Sequence, residues 1–313
     1  RALETIATTN PCGEQPLPPY GCCDLGPLIL PRFVRHPFGL AGDAAFNFDA
    51  FEASVALQVR ALDNVLDLTR WPLPQQREEA MGKRRIGVGL TGLGNALTML
   101  CLRYDSDAGR AMAARIAQTM RDAAYRASVS LAIEKGAFPQ FSTHTYFSAG
   151  NFASRLPETL QRAIRAHGIR NSHLLSIAPA GSVSLAFADN ASNGIEPSFA
   201  WQYLRKKRAA DGSQTTHTVE DYAWRLFRSL GGNVRTLPSY FVSALDMTPA
   251  SHIAMMQTMQ PFVDAAISKT VNVPENCTYE VFEGLFLQAW QSKLKGFATY
   301  RPNHIVGSVL QVT

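Results

Sequence analysis

The sequence predicts an α/β fold, and two observations carry that prediction. Long stretches with apolar residues at helical spacing occur at 48–69 and 108–134. After them lie the apolar run Leu174 to Ala178, which reads as a buried strand, and Ala266 to Pro274, which reads as a strand. The chain has 313 residues, 46% hydrophobic and 18% charged, enough for one large domain or two small ones.

In chain order, Thr9-Asn10-Pro11-Cys12-Gly13-Glu14-Gln15 comes first. If extended, it sets Asn10, Cys12 and Glu14 on one face, an amide, a thiol and a carboxylate turned to one ligand. A turn-rich loop carrying a chance Cys is the competing reading of the same residues. Residues 27–48, rich in Pro, Gly and Phe, read as loop. Phe51, Val55, Val59, Leu62, Val65 and Leu66 define a helix over Phe48 to Thr69, ended by Trp71-Pro72-Leu73-Pro74.

Gly87, Gly89 and Gly92 match Gly-x-Gly-x-x-Gly, but of the residues before them only Ile86 suits the hydrophobic strand that a dinucleotide site requires. Close backbone packing explains these glycines better. Ala108 to Glu134 reads as a helix closed by Gly136, and 140–154 as a polar, aromatic loop. Leu156 to His167 reads as a helix ending at Gly168.

After the strand Leu174 to Ala178, Pro179-Ala180-Gly181-Ser182-Val183 turns into a helix. Such a turn either gathers backbone N–H groups on an anion or is an ordinary helix start capped by Ser182. Residues 205–217, with Lys206, Lys207 and Arg208, read as a solvated hairpin. Helices are expected near 218–230, 249–259 and 279–294.

Composition excludes several functions. A net charge of +5 suits a phosphate-bearing ligand but is too diffuse for nucleic acid. No run of about 18 apolar residues exists and no signal peptide is visible, so the expectation is a cytoplasmic protein without membrane contact. Five cysteines, two adjacent, do not form a secreted disulfide framework, and Cys101 and Cys277 read as packing or surface residues. No two of the seven histidines sit at i, i+4 with a partnering Glu, and there is no Cys-x-x-Cys, so no metal site is expected. Gly-x-Ser-x-Gly is absent, against a serine hydrolase.

The run from Asn10 to Gly26 closely resembles the active-site segment of ribonucleotide reductase large chains, in particular the adenosylcobalamin-dependent class II enzymes. The family's Asn-x-Cys-x-Glu falls on Asn10, Cys12 and Glu14, and its Cys-Asp-Leu-Gly on Cys23 to Gly26. Asn193-Gly194-Ile195-Glu196-Pro197 and Ala266 to Pro274 also resemble family segments. Residues 179–183 are similar to its Pro-Thr-Gly-Thr phosphate loop, with Ala180 in place of Thr. The resemblance extends over nearly the whole chain.

The resemblance implies part of a ten-stranded α/β barrel that reduces ribonucleoside di- or triphosphates to 2′-deoxyribonucleotides. It makes Cys12 the thiyl residue, Glu14 the base for the 3′-hydroxyl and Asn10 the holder of the ribose hydroxyls. Pro11 and Gly13 line the substrate and 179–183 takes its phosphates. Cys23 is one half of a redox pair; Cys22 is a weaker substitute. Phe297-Ala298-Thr299 stands where the diiron class carries paired tyrosines, which favours adenosylcobalamin. Further expectations are a thioredoxin-type reductant, nucleotide effectors bound outside these residues and a homodimer. The chain is expected to be the C-terminal part of the barrel, without the upstream half and the Cys-x-x-Cys tail. A non-catalytic nucleotide-binding relic is the alternative, and a nicotinamide-dependent dehydrogenase a third reading.

Overall fold

In the computed structural model, the described residues are 4–148, 150–208, 212–301 and 310–312. The chain opens with a small hairpin, β1 (Thr8–Thr9) against β2 (Pro16–Leu17), and then enters β3 (Asp24–Ile29). β3 corrects the expectation of loop from residue 27. Pro27 breaks its sequence pattern, but the strand is held by a parallel partner some sixty residues later. A short pair, β4 (Val34–Arg35) and β5 (Ala45–Phe46), leads into α1 (Phe48–Leu68). The Asn47 side chain caps α1 by accepting from the Ala50 amide, and Phe51, Val55, Val59, Leu62 and Leu66 form its buried stripe. Each such side chain contributes about 1.5–3 kcal/mol by burial.

A second helix, α2 (Pro74–Lys83), starts at the proline that the sequence reading used only as a stop. β6 (Ile86–Thr91) follows, buried along its whole length, and pairs in parallel with β3 from Asp24↔Ile86 to Ile29↔Thr91. Gly92 at φ +80° then turns the chain into α3 (Leu93–Met99). α4 (Asp107–Lys135) is capped by Ser106 and ended by Gly136, and it packs along α1. The short α5 (Thr143–Tyr146) interrupts the expected loop, and α6 (Glu158–His167) ends at Gly168.

The expected strand at 174–178 is present as an extended segment. It receives a bond from the Val88 amide at Leu174 O (2.7 Å) and returns one from the Ser176 amide to Val88 O (3.1 Å). On its other side Ile177 N donates to Ala266 O, and Ser268 N to Ile177 O. β3, β6, 174–177 and 266–268 thus form one parallel arc, with α1 packed on β3 and β6 and α4 on α1.

Beyond it come α7 (Gly181–Phe187), the hairpin of β7 (Gln202–Arg208) and β8 (Gln214–Glu220), and α8 (Tyr222–Ser229). The helix expected from 218 therefore begins four residues later, because 218–220 is strand. The side chains of Lys206, Lys207 and Arg208 lie outside the described residues. α9 (Pro249–Met259), β9 (Thr270–Asn272), α10 (Tyr279–Gln291), β10 (Ala298–Tyr300) and β11 (Leu310–Val312) complete the chain. β10 pairs in parallel with β9, and β11 antiparallel with β7. No helix among the described residues is long and apolar enough to cross a membrane.

Candidate active site

Asn10 to Gln15 form the loop of the first hairpin, which corrects the expectation of an extended strand over 9–15. Asn, Pro and Gly occupy positions i, i+1 and i+3 of a β-turn, and the Gly13 amide closes it on Asn10 O at 3.1 Å. Gly13 sits at φ +82°, a conformation that favours glycine. The Asn10 amide donates to Gln15 O (3.1 Å), and the Gln15 amide donates to the Asn10 side-chain oxygen (3.0 Å). The three chemical residues share a loop but not a strand face. Cys12 is exposed at the tip, while Glu14 is buried, 2% exposed, with its Oε2 unpaired. Glu14 O accepts from the Ala266 amide at 2.9 Å, which ties the loop to the fourth strand of the arc.

Cys22 and Cys23 precede β3 as free, partly buried thiols. Burial, and next the Asp24 carboxylate, push Cys22 up to about 11 and Cys23 well above the ordinary thiol range. Both are therefore held as neutral S–H groups at neutral pH. No hydrogen bond among the described residues joins Cys12, Cys23 and 179–183 directly. What links them is the sheet: the loop is tied to the 266–268 strand, which lies beside the strand that runs on into 179–183.

At that strand's end Ala180 adopts φ +53° as the N-cap of α7. Ser182 lies inside the first turn, so it is not the cap that the sequence allowed. The first-turn amides of Gly181, Ser182 and Val183 have no partner within the helix. A cavity of about 230 Å³ adjoins this turn, lined by Pro179, Asn193, Glu196, Tyr203, Thr270 and Asn272. A larger one, about 350 Å³, lies by His173 and Asp264 at the opposite end of the 174–177 strand, away from these groups.

Sequence reasoning missed three residues. The fully buried Lys269 forms an ion pair with Glu196, whose other oxygen accepts from the Thr270 amide at 2.7 Å. Burial lowers the Lys269 pKa, and Glu196 opposes that shift. The remaining two, Gln15 and Ser176, are buried polar groups without partners. Ser268-Lys269-Thr270 within an apolar strand was the one visible signal; nothing in the sequence marked Gln15 or Ser176. The glycines of the Gly-x-Gly-x-x-Gly match lie on and just after β6. An added Cβ on Gly89 would fall 2.4 Å from Ser176 O, so close backbone approach accounts for that residue. Among the described residues no cluster of His, Cys, Asp or Glu could hold a metal ion.

The family model described as ribonucleotide reductase, barrel domain, matches residues 1–300. The chain belongs to this family. It is 33% identical over 327 residues to a vitamin B12-dependent ribonucleoside-diphosphate reductase of Mycobacterium tuberculosis, an alignment covering 97% of this chain and 43% of that protein. The enzyme of the same name from Thermoplasma acidophilum is 28% identical, with coverages of 95% and 38%. A vitamin B12-dependent ribonucleotide reductase of Streptomyces clavuligerus is 28% identical, with coverages of 97% and 36%. The chain thus spans about two fifths of the length of these reductases.

Proposed function

We propose that this chain is the part of an adenosylcobalamin-dependent ribonucleotide reductase that carries the radical loop and the phosphate turn. One observation supports this above the others. Asn10, Cys12 and Glu14 lie on one hairpin loop, docked on the same strand arc that leads into 179–183.

The substrate is a ribonucleoside di- or triphosphate, with its phosphates over the amides of Gly181, Ser182 and Val183 and against Pro179 and Ala180. Its ribose faces Asn10, Pro11, Cys12, Gly13 and Glu14. Because the Asn10 oxygen is engaged by Gln15, the Asn10 NH₂ group is what remains for a ribose hydroxyl. Cys12, exposed at the loop tip, suits a residue that must meet a bulky radical source. Adenosylcobalamin, when bound, supplies the unpaired electron that Cys12 carries as a thiyl. Cys12 then takes the 3′-hydrogen, and the unpaired Glu14 Oε2 takes the 3′-hydroxyl proton. The 2′-hydroxyl departs as water, a dithiol that includes Cys23 becomes a disulfide, and Cys12 returns the hydrogen to C3′ as Glu14 returns the proton to the 3′-oxygen. The balance is ribonucleotide plus dithiol giving deoxyribonucleotide, disulfide and water. Cys23, held as S–H by burial, is in the form that delivers hydrogen. A thioredoxin-type dithiol regenerates it in the cytoplasm. Nucleotide effectors and a homodimer belong to the same reading.

The test is electron paramagnetic resonance on the complete reductase that contains these residues, with adenosylcobalamin, a ribonucleotide and a dithiol, beside Cys12→Ser. A thiyl signal and deoxyribonucleotide that both vanish in the variant support the reading. Binding of nucleotide with neither signal nor product would sink it.

A further inference from the structure

We propose that Gln15 is a positioning residue for the Cys12–Glu14 loop, latched by Ser176 across the bare backbone of Gly87. Gln15 and Ser176 are each 1% exposed, and neither the carboxamide nor the hydroxyl has a hydrogen-bond partner. Buried polar groups without partners are uncommon and ask for an explanation.

Their placement supplies one. A Cβ built on Gly87 would lie 3.0 Å from Gln15 Nε2, 2.5 Å from Ser176 Oγ and 2.5 Å from Leu25 Cδ2. Leu25, Gly87 and Ser176 therefore share one face of three adjacent strands, and the missing side chain at 87 is the socket into which Gln15 reaches. Both polar groups converge on that point. The terminal torsion of a Gln side chain is broad, so a small rotation lets the carboxamide and the hydroxyl bond to each other.

The latch matters because of what each end carries. Both backbone polar groups of Gln15 are bonded to Asn10, so a shift of Gln15 moves the turn with Cys12 at its tip. Ser176 stands three residues before Pro179 on the segment that becomes the phosphate turn. Gln15 thus fixes the height of Cys12 over the strand that positions the substrate's phosphates. No step of the chemistry passes through Gln15 itself.

The inference rests on the reading of Cys12 as the radical residue, and the experiment separates the two. Gln15→Met, Ser176→Ala and their combination are made in the complete reductase that contains these residues, with Ser176→Thr as the variant that keeps the hydroxyl. Alkylation of Cys12 by iodoacetamide, followed by mass spectrometry without cofactor or nucleotide, reads the loop alone. The values of kcat and KM for ribonucleotide reduction read the effect on chemistry. Loss of one hydrogen bond should change the alkylation rate and lower kcat by about threefold to tenfold, with KM held within about twofold. The double variant should be no worse than either single one, and Ser176→Thr should match the parent. Additive losses, or rates within about twofold of the parent in both singles, overturn the latch. If Gln15→Met does not fold, the Ser176→Ala and Ser176→Thr pair decides by the same readouts. A parent chain that makes no deoxyribonucleotide, while its alkylation responds as expected, would overturn the proposed function and leave the latch standing.

Discussion

The Asn10 side-chain oxygen accepts the Gln15 amide at 3.0 Å, so the residue proposed to hold the ribose also closes the loop that presents Cys12. The two duties use different ends of one carboxamide and can be separated. Asn10→Asp keeps the acceptor and removes the donor. Its melting temperature should stay within about 2 °C of the parent, while kcat/KM falls by about tenfold or more. Asn10→Leu removes both ends and should lower the melting temperature as well. Calorimetry and steady-state kinetics on the two variants check this.

Glu196 and Lys269 give the second prediction. With Lys269 fully buried, Glu196→Gln leaves a desolvated cation without its counter-charge. That should cost about 3–5 kcal/mol, whereas the double variant Glu196→Gln, Lys269→Met should recover much of the loss. Urea unfolding of the single and double variants measures both. Equal stability of the single variant and the parent would remove this pair from the structural account of the site.

Asp24 sets a pH dependence. Burial raises its carboxyl from 3.8 to about 7, and neither oxygen has a partner. Between those values the unfolded chain has lost the proton that the folded chain keeps, so stability falls as pH rises from about 4 to 7 and is level above. Asp24→Asn should therefore be more stable than the parent at pH 8, by about 1–2 kcal/mol allowing for partial exposure, and little changed at pH 4. Denaturant titrations at the two pH values test the sign.

The opposite sign is expected at Glu4. Burial works to raise its pKa, but the Arg85 charge and hydrogen bonds from Lys83 and Arg85 outweigh it and hold the group at about 2. Its contribution is present above the ordinary carboxylate value and is lost as pH falls from about 4.5 towards 2. Glu4→Gln should flatten this acid limb of the stability profile.

Gly89 decides the dehydrogenase alternative. Because an added Cβ would meet Ser176 O at 2.4 Å, Gly89→Ala should destabilise the fold by about 1–3 kcal/mol. NAD titrated into the parent should produce no binding signal. Saturable NAD binding that disappears in the variant would restore the dinucleotide reading.

The sequence by itself determined the two longest helices and α9, and for a local reason. The apolar stripe at Phe51, Val55, Val59, Leu62 and Leu66, and the terminators Gly136 and Gly168, are set by residues within a few turns of one another. The predicted 48–69, 108–134 and 249–259 accordingly appear as 48–68, 107–135 and 249–259. The residues of the candidate loop were legible too, together with the family they resemble. Their geometry was not: alternation over five residues fits a strand and a turn alike, and only the bonds between Asn10, Gly13 and Gln15 decide for the turn. Tertiary structure alone decided β3, whose partner β6 is distant in sequence, and the placement of Gln15, Ser176 and Lys269. A lone Gln, Ser or Lys has no periodicity to reveal it. Its meaning depends on which group the fold places opposite, here a bare glycine backbone for Gln15 and Ser176 and the Glu196 carboxylate for Lys269.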